Sequence, residues 1–350
     1  MSVAIDQTGL VIDLSSSSSL FELAEKHLRL REINQAVAAF STAETLGFDP
    51  DACSGGRWIC HMLEGNFELA WQESDGIAER GRPDPHRFWN GRPLDGNRVL
   101  LRCLHGLGDT LQFVRYAPLI RARASCLTIE AQPDLKALIA ASNLADHVIT
   151  WGESEPGWDQ QVEVMELPRI FRTTLPSIPN DMPYLKAPVE ADERRNRSAK
   201  LRAGLVWTSS TYNQARSISL DAIEPLFSIP GIEFFSFQAG KDRSRAPEFG
   251  LVDLCDESDL VTVARRVHEM DVIITVDTMM AHLAGALGKL TWTLLPFEAD
   301  WRWMMERSDS PWYPSMRLFR QPGPGEWTTV VDELRTNLVN AVQTFRDRAT

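Results

Sequence analysis

The run Leu104-His105-Gly106-Leu107-Gly108-Asp109-Thr110 sets two glycines directly before a carboxylate, after the apolar stretch Val99-Leu100-Leu101. Gly106 and Gly108 let the backbone turn tightly and come close to a ligand. Asp109 behind them has two readings: a carboxylate base exposed to a cleft, or a helix cap, which Asp favours anyway. A dinucleotide fingerprint would need a third glycine where the chain has Leu111, although Glu130 stands where a ribose-binding acid belongs. A second segment, Val276-Asp277-Thr278 through His282-Leu283-Ala284-Gly285-Ala286, ends a strongly apolar strand and opens a small-residue helix. Four free amides and the helix dipole there suit an anion such as a diphosphate. Thr278 and His282 share a face of that helix. Asp277 is expected to cap it or to take ligand hydroxyls, and His282 reads as a ligand residue or as a core histidine. A third segment, Trp207-Thr208-Ser209-Ser210 with Arg216-Ser217, supplies hydroxyls and a guanidinium that can neutralise a leaving phosphate. Gln238, at the end of the strand expected over 233–238, joins Thr208, Ser209, Arg216, Asp277, Thr278 and His282 as a candidate ligand-binding residue. Aromatics crowd a fourth segment, Asp300-Trp301-Arg302-Trp303 to Trp312-Tyr313-Pro314. They either stack on a base or sugar or wedge the terminal helix in place, and packing is the preferred reading.

These residues need elements to hold them. Strands alternating with helices from residue 98 onward argue for parallel sheets. The pattern predicts strands at 99–104, 126–131, 203–207, 233–238, 272–276 and 290–295. It predicts helices at 109–123, 134–142, 220–227, 260–270, 278–287 and 328–347. A polar linker is expected over 190–200. Two such α/β units facing a cleft would form a natural ligand site. Before them, residues 20–85 read as four short helices in two hairpins at 20–31, 33–46, 51–64 and 66–80. Ala36 and Ala70 lie 34 apart, as do Gly47 and Gly81. That is the tetratricopeptide-repeat (TPR) period, and two repeats alone would lean on the next domain. Residues 1–19, with the serine run Ser15–Ser19, read as a disordered tail. The expected domains are therefore 1–19, 20–85, 98–189, 200–320 and a terminal helix at 326–348.

Composition bounds the partners. The 350 residues carry a net charge of −12, so broad binding to nucleic acid is disfavoured. No apolar run is long enough to span a bilayer, and no signal peptide is expected. The five cysteines include no C-x2-C pair, which disfavours a zinc site or disulfide framework and fits a cytoplasmic protein or one peripheral to the inner membrane. Metal-dependent transfer would want an Asp-x-Asp beside a diphosphate. Asp49-Pro50-Asp51 is instead in a connection between helices, so no metal and no cofactor is expected.

Gly106 through Phe113 with Arg115-Tyr116-Ala117-Pro118-Leu119 resembles bacterial tetratricopeptide-repeat glycosyltransferases. So do Arg216-Ser217-Ile218, Val276-Asp277-Thr278 with His282 to Lys289, and the segment from Asp300 to Pro314. The catalytic half is similar to the heptosyltransferases of glycosyltransferase family 9. The resemblance implies a GT-B fold, two Rossmann-like domains facing a cleft, behind a short all-α TPR-like region. It implies inverting transfer from a nucleotide-sugar donor to a hydroxyl on a glycan, lipopolysaccharide core or protein such as flagellin. By the same resemblance Asp109 is the base, Arg216 contacts the donor phosphates, and Asp277, Thr278 and His282 bind the donor. Met279 stands where the heptosyltransferases carry glycine, and Leu104-His105 replaces the Glu-Gln of the repeat-bearing relatives. The repeats are a candidate docking site for a protein partner. The alternatives are a non-catalytic repeat module on a degenerate scaffold and, less favoured, a nicotinamide-dependent oxidoreductase.

Overall fold

The computed structural model describes residues 3–5, 11–13, 16–84, 88–187, 199–209, 213–256 and 259–347. The chain divides into two compact units. One is helical: α1 (Ser17–Arg29), α2 (Ile33–Thr45), α3 (Pro50–Glu64) and α4 (Phe67–Gly81). Local chemistry sets these limits. Asp49 accepts from the Asp51 amide with Pro50 in the first turn of α3, and Gly65 closes that helix at φ 78°. The α1–α3 core is built on small residues, with Ala24, Ala36 and Ala39 around Phe40. Gly56 has no Cβ because the Phe40 ring occupies that space. The tail expected over 1–19 is corrected in part. Strand β1 (Val3–Ile5) pairs antiparallel with β2 (Val11–Asp13), and the serine run opens α1, capped by Ser16.

Two segments from far along the chain belong to this helical unit, Arg169–Ile178 and Glu298–Arg307. Trp71 Nε1 donates to the Thr173 carbonyl at 2.7 Å, and Trp58 meets Trp301 edge-to-face at 5.0 Å. Arg31 donates to the Ala299 carbonyl at 2.6 Å, and Asp75 pairs with Arg169 and Arg172. These segments cover the helices. Phe88 and Trp89 lie beside Gln161 in the other unit.

The second unit holds two parallel sheets. The first contains β3 (Arg98–Arg102), β4 (Cys126–Ala131), β5 (His147–Thr150) and β6 (Gln160–Glu163) in the order β5-β4-β3-β6. The second contains β7 (Leu201–Val206), β8 (Ile232–Ser236), β9 (Val252–Asp253), β10 (Val272–Val276), β11 (Thr291–Leu295) and β12 (Met316–Arg320). Its order is β12-β11-β10-β7-β8-β9. The connecting helices are α5 (Leu107–Phe113), α6 (Ala117–Arg121), α7 (Pro133–Ala141), α8 (Leu167–Ile170), α9 (Leu220–Ile223), α10 (Leu260–Glu269) and α11 (Met279–Ala286), and α12 (Trp327–Asp347) ends the chain. Continuous apolar strands are buried on both faces, as parallel sheets require. Val330, Leu334, Leu338 and Val342 of α12 complete the core of the second sheet.

Several expected elements change shape. The helix expected over 109–123 is α5 and α6 separated by a 3₁₀ turn at Val114–Tyr116, with Pro118 restarting the second helix. Pro225 likewise turns the end of the 220–227 helix into a 3₁₀ segment. Residues 190–198 of the linker expected over 190–200, and Ser210, lie outside the described residues. The aromatic segment packs, yet not onto the terminal helix as a block. Trp301 joins the helical unit, and Trp312 meets Phe113 edge-to-face at 5.7 Å.

Candidate active site

In an open parallel sheet, ligands bind past the carboxyl ends of the strands where the strand order reverses. In the second sheet that point lies between β7 and β10. The chain leaves β7 through Trp207, Thr208 and Ser209, and leaves β10 through Asp277 and Thr278. The structure therefore brings Arg216 to Asp277, Nη1 to Oδ2 3.4 Å, with Asp277 only 3% exposed. A buried carboxylate beside a guanidinium is largely neutralised, which removes the repulsion it would otherwise present to a phosphate.

The loop after β7 is stitched to itself. Ser209 Oγ donates to the Asn213 carbonyl at 2.6 Å, and Ser217 Oγ accepts from the Ser209 amide at 3.0 Å. Thr208 Oγ1 donates to Asp242 at 3.1 Å. Gln238 is a bracket: its Oε1 accepts from the Trp207 and Thr208 amides, and its Nε2 donates to the carbonyls of Thr208 and Ala239. Its amide therefore holds the loop.

The opening of α11 is narrower than four free amides. Thr278, not Asp277, is the N-cap: its Oγ1 accepts from the Met280 amide, and its carbonyl accepts from Ala281. The helix thus has at most the Thr278 and Met279 amides to offer an anion. His282 is buried, and its Nδ1 lies 2.9 Å from the Tyr313 hydroxyl.

In the first sheet the reversal falls between β3 and β6. The chain leaves β3 through Leu104, His105 and the glycine turn. Gly106 caps α5, so Asp109 sits in the first turn and not at the cap position. It is half-buried and reaches back to accept from the Gly106 amide at 3.0 Å. Gln132 pins the same turn, accepting from Thr110 and donating to the His105 carbonyl. Glu163, which ends β6, lies 3.8 Å from His105 Nε2 and also accepts from the Met165 amide. Burial pushes the Glu163 carboxyl above its usual range. Sequence reasoning missed Glu163 because β6 has no apolar run to reveal it. Glu130 is committed to Arg102 at 2.7 Å and is nearly enclosed, so the acid that a nicotinamide ribose would need is already paired.

The two halves meet at Gly108. A Cβ there would stand 2.9 Å from His282 Cδ2 and 3.7 Å from Met279 Cα. The glycine turn that carries Asp109 therefore rests on the first turn of α11. Gly108, the residue before Asp109, is thus brought against His282 and Met279, while Asp277, at the end of β10, pairs with Arg216.

No family model matches the chain. A curated relative, protein FlbA of Caulobacter vibrioides, is 23% identical over an alignment covering 78% of this chain and 52% of the relative, so the chain spans about half its length. Among solved structures, the chain is similar to the Escherichia coli ADP-heptose lps heptosyltransferase II (TM-score 0.52, 13% identity, 72% of this chain and 99% of that one). It is also similar to a family 9 glycosyl transferase of Veillonella parvula (TM-score 0.50, 11% identity, 74% and 99%). Both likenesses concern architecture: in fold, this chain is similar to the heptosyltransferases of glycosyltransferase family 9.

Proposed function

We propose that the chain is a glycosyltransferase that moves a sugar from a nucleotide-sugar donor to a hydroxyl acceptor, with inversion and without a metal. The observation that carries this reading is the seat of the Gly106–Asp109 turn on the opening of α11. The turn that carries Asp109, after one sheet, packs on a helix opening of the other sheet, and we read that opening as the anion site. Asp109 takes the proton of the acceptor hydroxyl as that oxygen attacks the anomeric carbon. Arg216 and the Thr278 and Met279 amides receive the charge of the departing nucleoside diphosphate. Asp277, neutralised by Arg216, takes donor hydroxyls, while Gln238 and Ser217 hold the loop that carries Thr208 and Ser209. The acceptor approaches past Leu104, His105 and Glu163, on a glycan, lipopolysaccharide core or protein. The helical unit is read as TPR-like, with α2 and α4 opening at Ile33 and Phe67, and as a docking site for a protein partner.

A thermal-shift screen of the purified chain tests this. ADP-, UDP- and GDP-sugars are compared with NAD and NADP. Ligand at a hundred times its dissociation constant stabilises the native state by about 2.7 kcal/mol. A rise with a nucleotide sugar, followed by product formation, is expected. A rise with nicotinamide cofactors alone would overturn the reading.

A further inference from the structure

The four strands of the first sheet are parallel, so their carboxyl ends share one edge. Trp151 leaves β5 there in a tight turn. The Glu153 amide returns to the Thr150 carbonyl, Gly152 takes the left-handed position at φ 82°, and Glu153, held by Lys136 at 2.7 Å, accepts from the Thr150 amide. The indole is fixed as well. It reaches past β4, and its Nε1 donates at 3.1 Å to the Cys103 carbonyl, where the chain leaves β3. Its N–H is thus spent inside the protein, yet 47% of the residue stays exposed, and so does Leu104 beside Cys103. An aromatic ring pinned in place with half its surface in solvent is a preorganised platform for the apolar face of a ligand.

On the other side of β3, His105 Nε2 and Glu163 Oε1 stand 3.8 Å apart, too far for a direct hydrogen bond. Glu163 Oε2 accepts from the Met165 amide at 2.6 Å, whereas Oε1 is enclosed and takes no hydrogen bond from the protein. Burial raises the pKa of this carboxyl, while the Met165 amide, His105 and the Leu104 amide pull the other way. One hydroxyl oxygen about 2.8 Å from each atom fits the separation, donating to the carboxylate and accepting from the imidazole N–H. The charges here do not invite an anion: Arg102 is bound to Glu130 and Lys136 to Glu153, while Asp109 and Glu163 add carboxylates at the ends of β3 and β6.

We propose that this edge is the acceptor subsite and that it takes an uncharged sugar: the Trp151 indole carries the C–H face of a ring, and His105 and Glu163 share a hydroxyl. A serine or threonine hydroxyl of a protein acceptor would bring no ring to cover the indole, so the acceptor is narrowed to a glycan without carboxylate or phosphate at this position. The acceptor role rests on the proposed transferase reading, whereas sugar binding at this edge does not.

Saturation-transfer NMR of the full-length protein tests the site. The probes are the methyl glycosides of glucose, galactose and mannose, the matching methyl uronides, and N-acetylserinamide. At least one neutral glycoside should receive saturation, strongest at the C–H protons of one ring face. Its uronide and the serinamide should bind several-fold more weakly. Trp151→Ala should weaken the glycoside by about tenfold or more, and Trp151→Phe, which keeps an aromatic face, should retain most of the binding. His105→Ala should cost about tenfold, the value of one hydrogen bond, and it leaves the turn intact because Gln132 holds the His105 carbonyl and not its ring. Binding unmoved by Trp151→Ala, stronger binding of the uronide or the serinamide, or no saturation of any neutral glycoside would overturn the proposal. The nucleotide-sugar screen decides the transferase reading separately. Glycoside binding that depends on Trp151, in a protein that binds no nucleotide sugar, would keep the sugar site and remove its acceptor role.

Discussion

Gly108→Ala is the smallest change that tests whether the two halves must touch where the structure places them. Its added Cβ would lie 2.9 Å from His282 Cδ2, against a preferred carbon–carbon separation of about 3.5–4.0 Å. Something must yield by roughly 0.6–1 Å. His282 is a poor candidate, being buried and held through Nδ1 by Tyr313, so the α5 turn should move. Overpacking of this kind costs about 1–3 kcal/mol. Gly108 is outside the left-handed region, so alanine also recovers about 0.4–1 kcal/mol from the unfolded chain. The net loss of stability is then only about 0–2.5 kcal/mol, and the protein should stay folded. Activity should suffer more, because the shift carries Asp109, and a displacement near 1 Å costs on the order of 100-fold. Thermal denaturation and single-turnover sugar transfer read the two effects. The double variant Gly108→Ala/His282→Ala removes the clash and should regain the lost stability without regaining the rate. Wild-type transfer by Gly108→Ala would refute the close-contact reasoning.

Three further outcomes are expected. Arg216→Ala should weaken nucleoside diphosphate binding by about 1–3 kcal/mol in calorimetry, and an unchanged affinity removes Arg216 from the phosphate site. Arg57 joins Glu44 and Glu73 across three helices, at 2.7 and 2.6 Å, and the hydrogen bonds it donates, those to Glu73 foremost, raise its pKa above the usual range. Arg57→Ala should cost about 2–3 kcal/mol in urea denaturation, below the cost of breaking a fully buried pair because Glu44 is partly solvated, and a loss under about 0.5 kcal/mol would contradict this. Glu163 has a raised carboxyl pKa chiefly through burial, so its ionisation disfavours the folded state as pH rises through that value. Glu163→Gln should therefore raise the melting temperature at neutral pH and lose that advantage on acidification below the ordinary carboxylate range; a constant difference across pH would show that burial is not the cause.

The strands anticipated from sequence and those overlooked divide on one physical line. β3, β4, β7, β8, β10 and β11 were expected from their apolar runs, and each is interior to its sheet. β5, β6, β9 and β12 were not, and all four are edges. An edge strand has solvent on one side and takes polar residues, as Gln160-Gln161-Val162-Glu163 and Met316-Arg317-Leu318-Phe319-Arg320 do. Glu163 was hidden with its strand. The candidate site residues on loops could be singled out because glycine turns and helix openings leave local signatures. Their partners could not: the Tyr313 hydroxyl that meets His282 Nδ1 comes from 31 residues away in the chain, and only the fold brings the two together. Gln238 was visible as a polar residue at a strand end, but its commitment to the Trp207 and Thr208 amides is a tertiary fact.

The central claim is that Asp109 is the base of a sugar transfer, and Asp109→Asn measures it most directly. Asparagine keeps the size and an oxygen to accept from the Gly106 amide, so α5 should retain its first turn. Donor binding should survive, because the diphosphate contacts are assigned to the second sheet. Single-turnover transfer at saturating donor, with circular dichroism to verify folding, should fall by roughly 10²–10⁴-fold. A rate above about a tenth of wild type, outside the range for a lost general base, would contradict the account and return Asp109 to a structural role.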